Sequence, residues 1–230
     1  MRSVCTIFVL PMTLFMDNDF FDALIFDMDG TLWDATATYA EEWNETARRM
    51  GVPDFHITPE QLHQYMGLSI DKIFNAILSK CTLDPVEFCR VVDGVEDEML
   101  PVMGGIPYPG MVDGIRRLSS RYRLFMVSNC GAGGLKSFMR FNNLTDCFTD
   151  SLTFGETGWQ KAENFKALVE RNGIAHPLYI GDTQGDCDEA HRAGVPFAFA
   201  AYGFGSCSNP DLSFDSFNTI VDYFMNIKEK

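Results

Sequence analysis

The sequence predicts an α/β protein: a doubly wound, Rossmann-like parallel sheet with a helical domain inserted after its first strand. Three observations carry that expectation. Short apolar runs, Ala23-Leu24-Ile25-Phe26, Leu124-Phe125-Met126-Val127 and Leu178-Tyr179-Ile180, each end abruptly in polar or turn-forming residues, as strands buried on both faces do. Stretches of helical period lie between and after them at 110–120, 133–142, 161–172, 185–193 and 217–228, and strands alternating with helices imply right-handed crossovers in a parallel sheet. The interval 35–104 breaks this rhythm, with helical patterns at 36–50, 58–66, 69–80 and 84–100 and no strand pattern, so it is expected to be a separate helical insertion.

Taken in order, the chain opens with an apolar run at 4–16 behind Arg2. It is too short to span a bilayer, Pro11 interrupts it, and no A-x-A-like cleavage site precedes Asp17-Asn18-Asp19. Residues 1–20 are therefore expected to be an extension outside the core, with Met12 or Met16 as alternative starts; a cleaved secretory signal is the competing reading. The core is expected over 21–34 and 105–230. The insertion would leave after Trp33-Asp34 and return through Gly104-Gly105-Ile106-Pro107-Tyr108-Pro109-Gly110, where glycine and proline permit a hinge. The last stretch, 217–228, reads as a polar C-terminal helix.

Composition bounds the function. With 230 residues and 46% hydrophobic content the chain can bury a large core and a smaller inserted one. Eighteen basic against thirty-two acidic side chains give a net charge of −14, which repels a phosphate backbone and an anionic membrane, so neither nucleic acid nor membrane is expected as a partner. The same field repels a phosphorylated metabolite, so a site for one needs a local cation, which points to a metal ion. Seven cysteines (Cys5, Cys81, Cys89, Cys130, Cys147, Cys187, Cys207) form no C-x-x-C pair and fit neither a disulfide framework nor a zinc site; a reducing cytoplasm is expected. The four histidines have no metal-binding spacing and receive no chemistry, and nothing in the sequence specifies an oligomeric state.

In a parallel sheet, ligands gather outside the carboxyl ends of the strands, where Asp27, Ser128 and Asp182 emerge. Phosphoryl transfer through a carboxylate needs a nucleophile, a general acid, cations for the phosphate oxygens and a divalent ion. Asp27 at a strand end and Asp29 two residues on supply two carboxylates, and Gly30 allows the sharp reversal between them. Each residue also has a plain structural reading. Asp29-Gly30 suits a turn, Ser128 could end a strand, Lys161 could be solvated, and Asp182 or Asp186 could cap the helix that follows.

The ordered set resembles the haloacid dehalogenase-like (HAD) hydrolase superfamily. Asp27-Met28-Asp29-Gly30-Thr31-Leu32 is similar to its D-x-D-G-T-L motif, Val127-Ser128-Asn129 to the strand ending in Ser or Thr, Lys161 to the helix-opening lysine, and Gly181-Asp182-Thr183-Gln184-Gly185-Asp186 to G-D-x-x-x-D. The resemblance covers about 22–205 and is nearest the phosphoglycolate phosphatase and β-phosphoglucomutase group, which implies a helical, C1-type cap domain for the insertion. It implies that Asp27 is the nucleophile, forming an aspartyl-phosphate, and that Asp29 is the acid and then the base. It also implies that Mg2+ is held by the Asp27 carboxylate, the Asp29 carbonyl and Asp182, with Asp186 orienting the shell or a bound water. Ser128, the Asn129 amide and Gly30 would bind the phosphate side of the substrate, and Lys161 would neutralise both phosphate and carboxylates. The expected activity is magnesium-dependent hydrolysis of a small phosphorylated metabolite, phosphoglycolate- or sugar-phosphate-like.

There are departures. Trp159-Gln160-Lys161-Ala162 lacks the Lys-Pro pair of many relatives, and Ala35 stands where many carry serine. Asp29 argues against dehalogenation. The loop Tyr65-Met66-Gly67-Leu68-Ser69 resembles the specificity loop of the group, but Ile70 replaces the arginine with which mutases grip a second phosphate, and Lys72 nearby is no equivalent of a planar fork. A sugar phosphomutase is therefore the alternative, and a catalytically silent binding module the second. Tyr39, Glu42, Trp43 and Asn44 are placed to face a substrate or to pack, and Cys130 reads as either a redox-sensitive thiol or a packed small residue.

Overall fold

A computed structural model describes residues 21–78 and 83–226; the apolar run at 4–16, residues 79 and 80 of the third insertion helix and the end of the 217–228 stretch lie outside the described residues. Six strands form one parallel sheet: β1 (Ala23–Phe26), β4 (Arg123–Ser128), β5 (Phe148–Thr153), β6 (Pro177–Gly181), β7 (Phe197–Ala200) and β8 (Leu212–Phe214). Two shorter strands, β2 (Trp33–Asp34) and β3 (Ile106–Pro107), form an antiparallel ladder of their own. Across the sheet the order is β5-β4-β1-β6-β7-β8. The order reverses at β1, which pairs with β4 on one side (Phe26 opposite Met126) and with β6 on the other (Phe26 opposite Ile180). That reversal opens a crevice at the carboxyl ends of these three strands.

Alternation along the strands explains the double winding. Ala23, Ile25, Phe125, Val127 and Tyr179 face one side and pack on Phe165 and Leu168 of α8 (Lys161–Asn172) and on Cys187 and Ala190 of α9 (Gln184–Ala193). Leu24, Phe26, Leu124, Met126, Leu178 and Ile180 face the other side, against Met111, Ile115 and Leu118 of α5 (Met111–Ser119) and against α10 (Phe217–Met225). Because both faces are covered, these runs are continuously apolar. Two further helices follow β4 and β5: α6 (Gly134–Phe141) and the single turn α7 (Phe154–Thr157).

The expectation of a polar C-terminal helix is corrected. Phe217, Ile220, Val221 and Phe224 of α10 are buried and lie at helical spacing on one stripe, while Asn218, Thr219 and Asp222 between them face out. The pattern also missed three strands of the large sheet and both strands of the short ladder. β5 reads Phe-Thr-Asp-Ser-Leu-Thr and is half-exposed at the sheet edge, while β7 and β8 are only four and three residues long.

Four helices occupy the insertion: α1 (Thr36–Arg49), α2 (Pro59–His63), α3 (Ile70–Leu78) and α4 (Pro85–Met103). They make a cap with its own apolar cluster, in which Trp43 packs on Phe74 at 4.6 Å and on Phe88 at 5.4 Å between ring centroids. Burial of large aromatic surface like this gives the helical layer a packed interior of its own. α4 runs past the predicted end at 100 through Pro101 and stops at Gly104, whose positive φ of 62° ends the helix and whose amide still reaches Leu100 O at 2.9 Å. The ladder closes the base of the cap, with Trp33 opposite Pro107 and Asp34 opposite Ile106.

Candidate active site

The site grows out of the crevice. Asp27 follows the last residue of β1 and is only 3% exposed. The chain then turns back at once: Gly30 N donates to Trp33 O at 2.9 Å and Leu32 N to Met28 O at 2.8 Å. Gly30 has φ of +80°, and a Cβ there would lie 2.2 Å from Asp182 Oδ2, so only glycine lets the β1 loop reach the β6 loop. Its amide is already engaged in the turn and it does not line the cavity, so its place in the site is conformational.

Asp182, at the end of β6, is likewise buried; its Oδ2 accepts from Phe204 N at 2.8 Å and its Oδ1 from the Thr31 hydroxyl at 3.3 Å. Lys161 opens α8 and is 2% exposed. Its Nζ lies 2.9 Å from Asp27 Oδ1, donates to Asp186 Oδ1 at 2.6 Å and donates to the Tyr179 hydroxyl at 2.8 Å. Both oxygens of Asp186 are engaged, Oδ1 by Lys161 and the Tyr179 hydroxyl (3.1 Å), Oδ2 by the amide and hydroxyl of Thr183 (3.0 and 2.7 Å). Asp186 is thus an orienting group that fixes the ammonium. Asp27 Oδ1, by contrast, is an ion-pair partner of Lys161 whose geometry falls short of a hydrogen bond, so a buried lone pair remains available.

Burial sets the electrostatics. It raises the Asp27 carboxyl to about 6, with the Lys161 charge opposing and the Asp186 charge adding. It raises Asp182 well above the usual carboxylate range, helped by the charges of Asp186 and Asp27. At Asp186 burial also pushes upward, but the charge and hydrogen bond of Lys161 outweigh it and the net shift is down. Burial pulls Lys161 downward, and Asp186 and Asp27 more than reverse it, so the ammonium stays charged. The Asp27, Asp182 and Asp186 carboxylates each offer an oxygen, all within 4.8 Å of one another. An anionic, all-oxygen donor set with a free lone pair on Asp27 fits a hard divalent cation.

Asp29 is half-buried, accepting from Trp33 Nε1 at 3.0 Å and from the Tyr39 hydroxyl at 3.1 Å. Burial, then the Asp27 charge, holds its carboxyl well above the usual range. Ser128 ends β4 with its hydroxyl accepting from Cys130 N at 3.3 Å. Asp27, Asp29, Ser128, Asn129 and Lys161 line one cavity of about 200 Å³, whose opposite wall is built from cap residues including Tyr39, Glu42, Trp43, Asp93 and Glu96. Asp182 and Asp186 stand beside Asp27 rather than on the cavity wall.

Among the cap residues singled out from sequence, Tyr39, Glu42 and Trp43 reach the cavity, whereas Asn44 bonds the backbone of Ile57 in both directions (2.8 and 3.0 Å) and is structural. Lys72 is exposed and does not line the cavity. The Cys130 thiol is pushed well up by burial and then by Glu96, which disfavours the reactive thiolate. Sequence reasoning missed Tyr179, Thr183 and Glu96. The one available signal was a phenol inside an otherwise apolar strand, two residues before Gly181; a buried hydroxyl needs a partner, and Tyr179 finds three, Lys161, Asp186 and the Val127 carbonyl.

Buried carboxylates at the strand ends of a Rossmann-like sheet, one lysine among them and a helical cap above, make a capped enzyme site on a doubly wound α/β core. The chain belongs to the haloacid dehalogenase-like hydrolase family, whose profile matches residues 24–200. It is similar to a phosphoglycolate phosphatase of Aliivibrio fischeri, 26% identical over 223 residues that cover 86% of this chain and 94% of the relative. It is equally similar to one of Aquifex aeolicus, 26% identical over 212 residues covering 88% and 96%. The fold is shared with the crystal structure of a predicted phosphoglycolate phosphatase from Haemophilus somnus, at a TM-score of 0.75 and 21% identity, with 88% of this chain and 97% of that one covered.

Proposed function

We propose that the protein is a magnesium-dependent phosphatase that hydrolyses a small phosphate monoester through an aspartyl-phosphate on Asp27. The observation that carries the reading is the placement of Lys161, buried between Asp27 and Asp186, beside a second carboxyl, Asp29, that favours its proton. Residues 21–34 and 105–230 form the catalytic core in this reading, and 35–104 the substrate-selecting cap.

Lys161 opposes the upward push of burial on Asp27 and so keeps a nucleophilic carboxylate available. An Asp27 oxygen bonds to phosphorus as the bond from phosphorus to the ester oxygen breaks, and Asp29 gives its proton to the departing alkoxide. Asp29 then takes a proton from water, whose oxygen attacks the same phosphorus; inorganic phosphate leaves and Asp27 is restored. The Ser128 hydroxyl, the Asn129 amide and Lys161 hold the phosphoryl oxygens. Asp27 and Asp182, with the Asp29 carbonyl, would hold Mg2+ while Asp186 orients the surrounding groups; a bound ion supplies Lewis-acid stabilisation of phosphoryl charge.

The names of the relatives support phosphate-ester hydrolysis, and phosphoglycolate- and sugar-phosphate-like esters are the starting candidates. Among the described residues lining the cavity, Lys161 is the sole basic side chain, which disfavours a mutase that must grip a second phosphate. No described helix is long and apolar enough to cross a membrane. The five described cysteines are free, which supports a reducing cytoplasm.

The test is hydrolysis of p-nitrophenyl phosphate with magnesium by the full chain and by Asp27→Asn. Loss of activity by a factor on the order of 10⁴ or more is expected for a nucleophile; unchanged turnover would sink the mechanism. A panel of phosphorylated metabolites, one arm containing glucose 1,6-bisphosphate, separates phosphatase from mutase.

A further inference from the structure

The cap wall of the cavity is acidic. Glu42 of α1 and Asp93 and Glu96 of α4 all line it, and the only described basic residue there, Lys161, is already held by Asp27 and Asp186. Glu42 is 1% exposed, yet its Oε1 has no hydrogen-bond partner among the described residues. A carboxyl removed from water without a partner is costly, so one kept beside a ligand cavity has the ligand as its natural partner.

Two further features define that ligand's chemistry. Tyr39 and Trp43 line the same wall, and aromatic faces beside carboxylates attract a cation. The Glu96 carboxylate reaches back to the core: a Cβ on Gly131 or on Gly134 would lie 3.3 Å from one of its oxygens. Those glycines belong to the segment that directly follows Ser128 and Asn129. The acidic wall therefore stands next to the groups assigned to phosphate, within reach of a short ester.

We infer that the site selects phosphate monoesters of small amino alcohols, with Glu42 and Glu96 taking the protonated amine beside Tyr39 and Trp43. The inference rests on the phosphatase reading above and names the substrate class for that same site. An ammonium favours the ionised form of these carboxyls and gains charge-assisted hydrogen bonds from it, whereas the carboxylate of phosphoglycolate adds negative charge to a wall already short of positive charge. A cavity of about 200 Å³ is smaller than the roughly 300–1,000 Å³ of pockets for drug-sized ligands, which restricts the alcohol to a few heavy atoms. Burial, then Glu96 and Asp29, raises the Glu42 carboxyl to about 9, and burial, then Asp93 and Asp97, raises Glu96 to about 7. These are carboxyls poorly supplied with positive charge, and a bound amine supplies it.

The experiment compares kcat/KM of the full chain with magnesium for three phosphate esters of similar size: ethanolamine phosphate, ethyl phosphate and phosphoglycolate, carrying a positive, a neutral and a negative group. The expected order is ethanolamine phosphate over ethyl phosphate over phosphoglycolate, with tenfold or more between the extremes. Glu42→Gln, or Glu96→Gln should the first fail to fold, is expected to bring the ratio of ethanolamine phosphate to ethyl phosphate toward one, mainly through KM. Faster turnover of phosphoglycolate than of ethyl phosphate overturns the inference and leaves the phosphatase reading standing. A preference for the amine that survives both substitutions overturns the assignment to this wall. If none of the three esters nor p-nitrophenyl phosphate is hydrolysed, the phosphatase reading itself falls.

Discussion

Asn129, the residue after the end of β4, donates its side-chain Nδ2 to the backbone carbonyl of Gly67 in the cap, 3.1 Å away. One residue thus joins the proposed phosphate side of the cavity to the loop 65–69. Gly67 is itself close to the core, for a Cβ there would lie 2.8 Å from Thr183 Cγ2. Asn129→Ala keeps the backbone amide and removes this latch. A net hydrogen bond is worth about 1 kcal/mol, so KM should rise about fivefold with little change in melting temperature. Steady-state kinetics beside a thermal melt decide it, and an unaltered KM contradicts the latch.

Gly30→Ala meets two obstacles, a left-handed backbone and the Asp182 carboxylate in the space the methyl needs. A loss of about 2–4 kcal/mol in urea denaturation is expected, with a weakened response to metal. A variant as stable as the parent would show that the two loops separate freely.

Lys161→Met keeps the length of the side chain and removes the charge. Asp27 and Asp186 would then be buried without their cation, at a cost of about 3–5 kcal/mol. Chemical denaturation should register that loss together with loss of turnover; a cost below 1 kcal/mol would mean that the carboxylates find other partners.

Chelation tests the carboxylate cluster. Asp27 and Asp182 are both raised by burial, so a divalent ion bound to the folded state should add about 2.7 kcal/mol when present at 100 times its dissociation constant. Dialysis against EDTA should lower the melting temperature and abolish turnover, and magnesium should restore both. Identical melts with and without the ion argue against the cluster as its site.

The Glu42 carboxyl goes from an ordinary value of 4.5 to about 9 on burial. Between those pH values the folded chain keeps a proton that the unfolded chain gives up, so this group's contribution is complete below about 4.5 and stability falls as pH climbs toward 9. Glu42→Gln has no such proton to lose. In metal-free protein its melting temperature at pH 9 should exceed the parent's by about 2–8 °C, or roughly 1–2 kcal/mol, while the curves approach one another near pH 5. Parallel curves across that range would falsify this reading.

How far the sequence can be read depends on where the information lies. Asp27, Ser128 and Asp182 stand next to apolar runs whose period places them at one end of a sheet, and the structure gathers them there. Lys161 needs only to open a helix behind that sheet to reach Asp27. Glu42 is marked only by standing near the hinge beside Tyr39 and Trp43, and Glu96 carries no mark at all, because an acid on a helix reads as a solvated face until the facing helix is known. α10 fails for the opposite reason: its polar residues mask a four-residue stripe that only packing against α5 makes evident. β5 lies at the edge, where its first four residues are partly or wholly exposed and three of them are polar, so no apolar run marks the strand.

The chain leaves the sheet at Trp33-Asp34 and comes back at Ile106-Pro107, and these two pairs lie side by side. A segment whose ends meet in this way is a side excursion from the sheet. The entropy of closing such an excursion grows only with the logarithm of its length, about 0.6 kcal/mol for each doubling. Helices can therefore be gained, lost or exchanged between those two points at small thermodynamic cost and without shifting the register of any strand. The β1–β4 pairing, however, must wait until the whole excursion has been made. Asp27 emerges early in synthesis, yet most of its neighbours arrive from the far side of that detour, so non-local closure is expected to limit how fast the site forms.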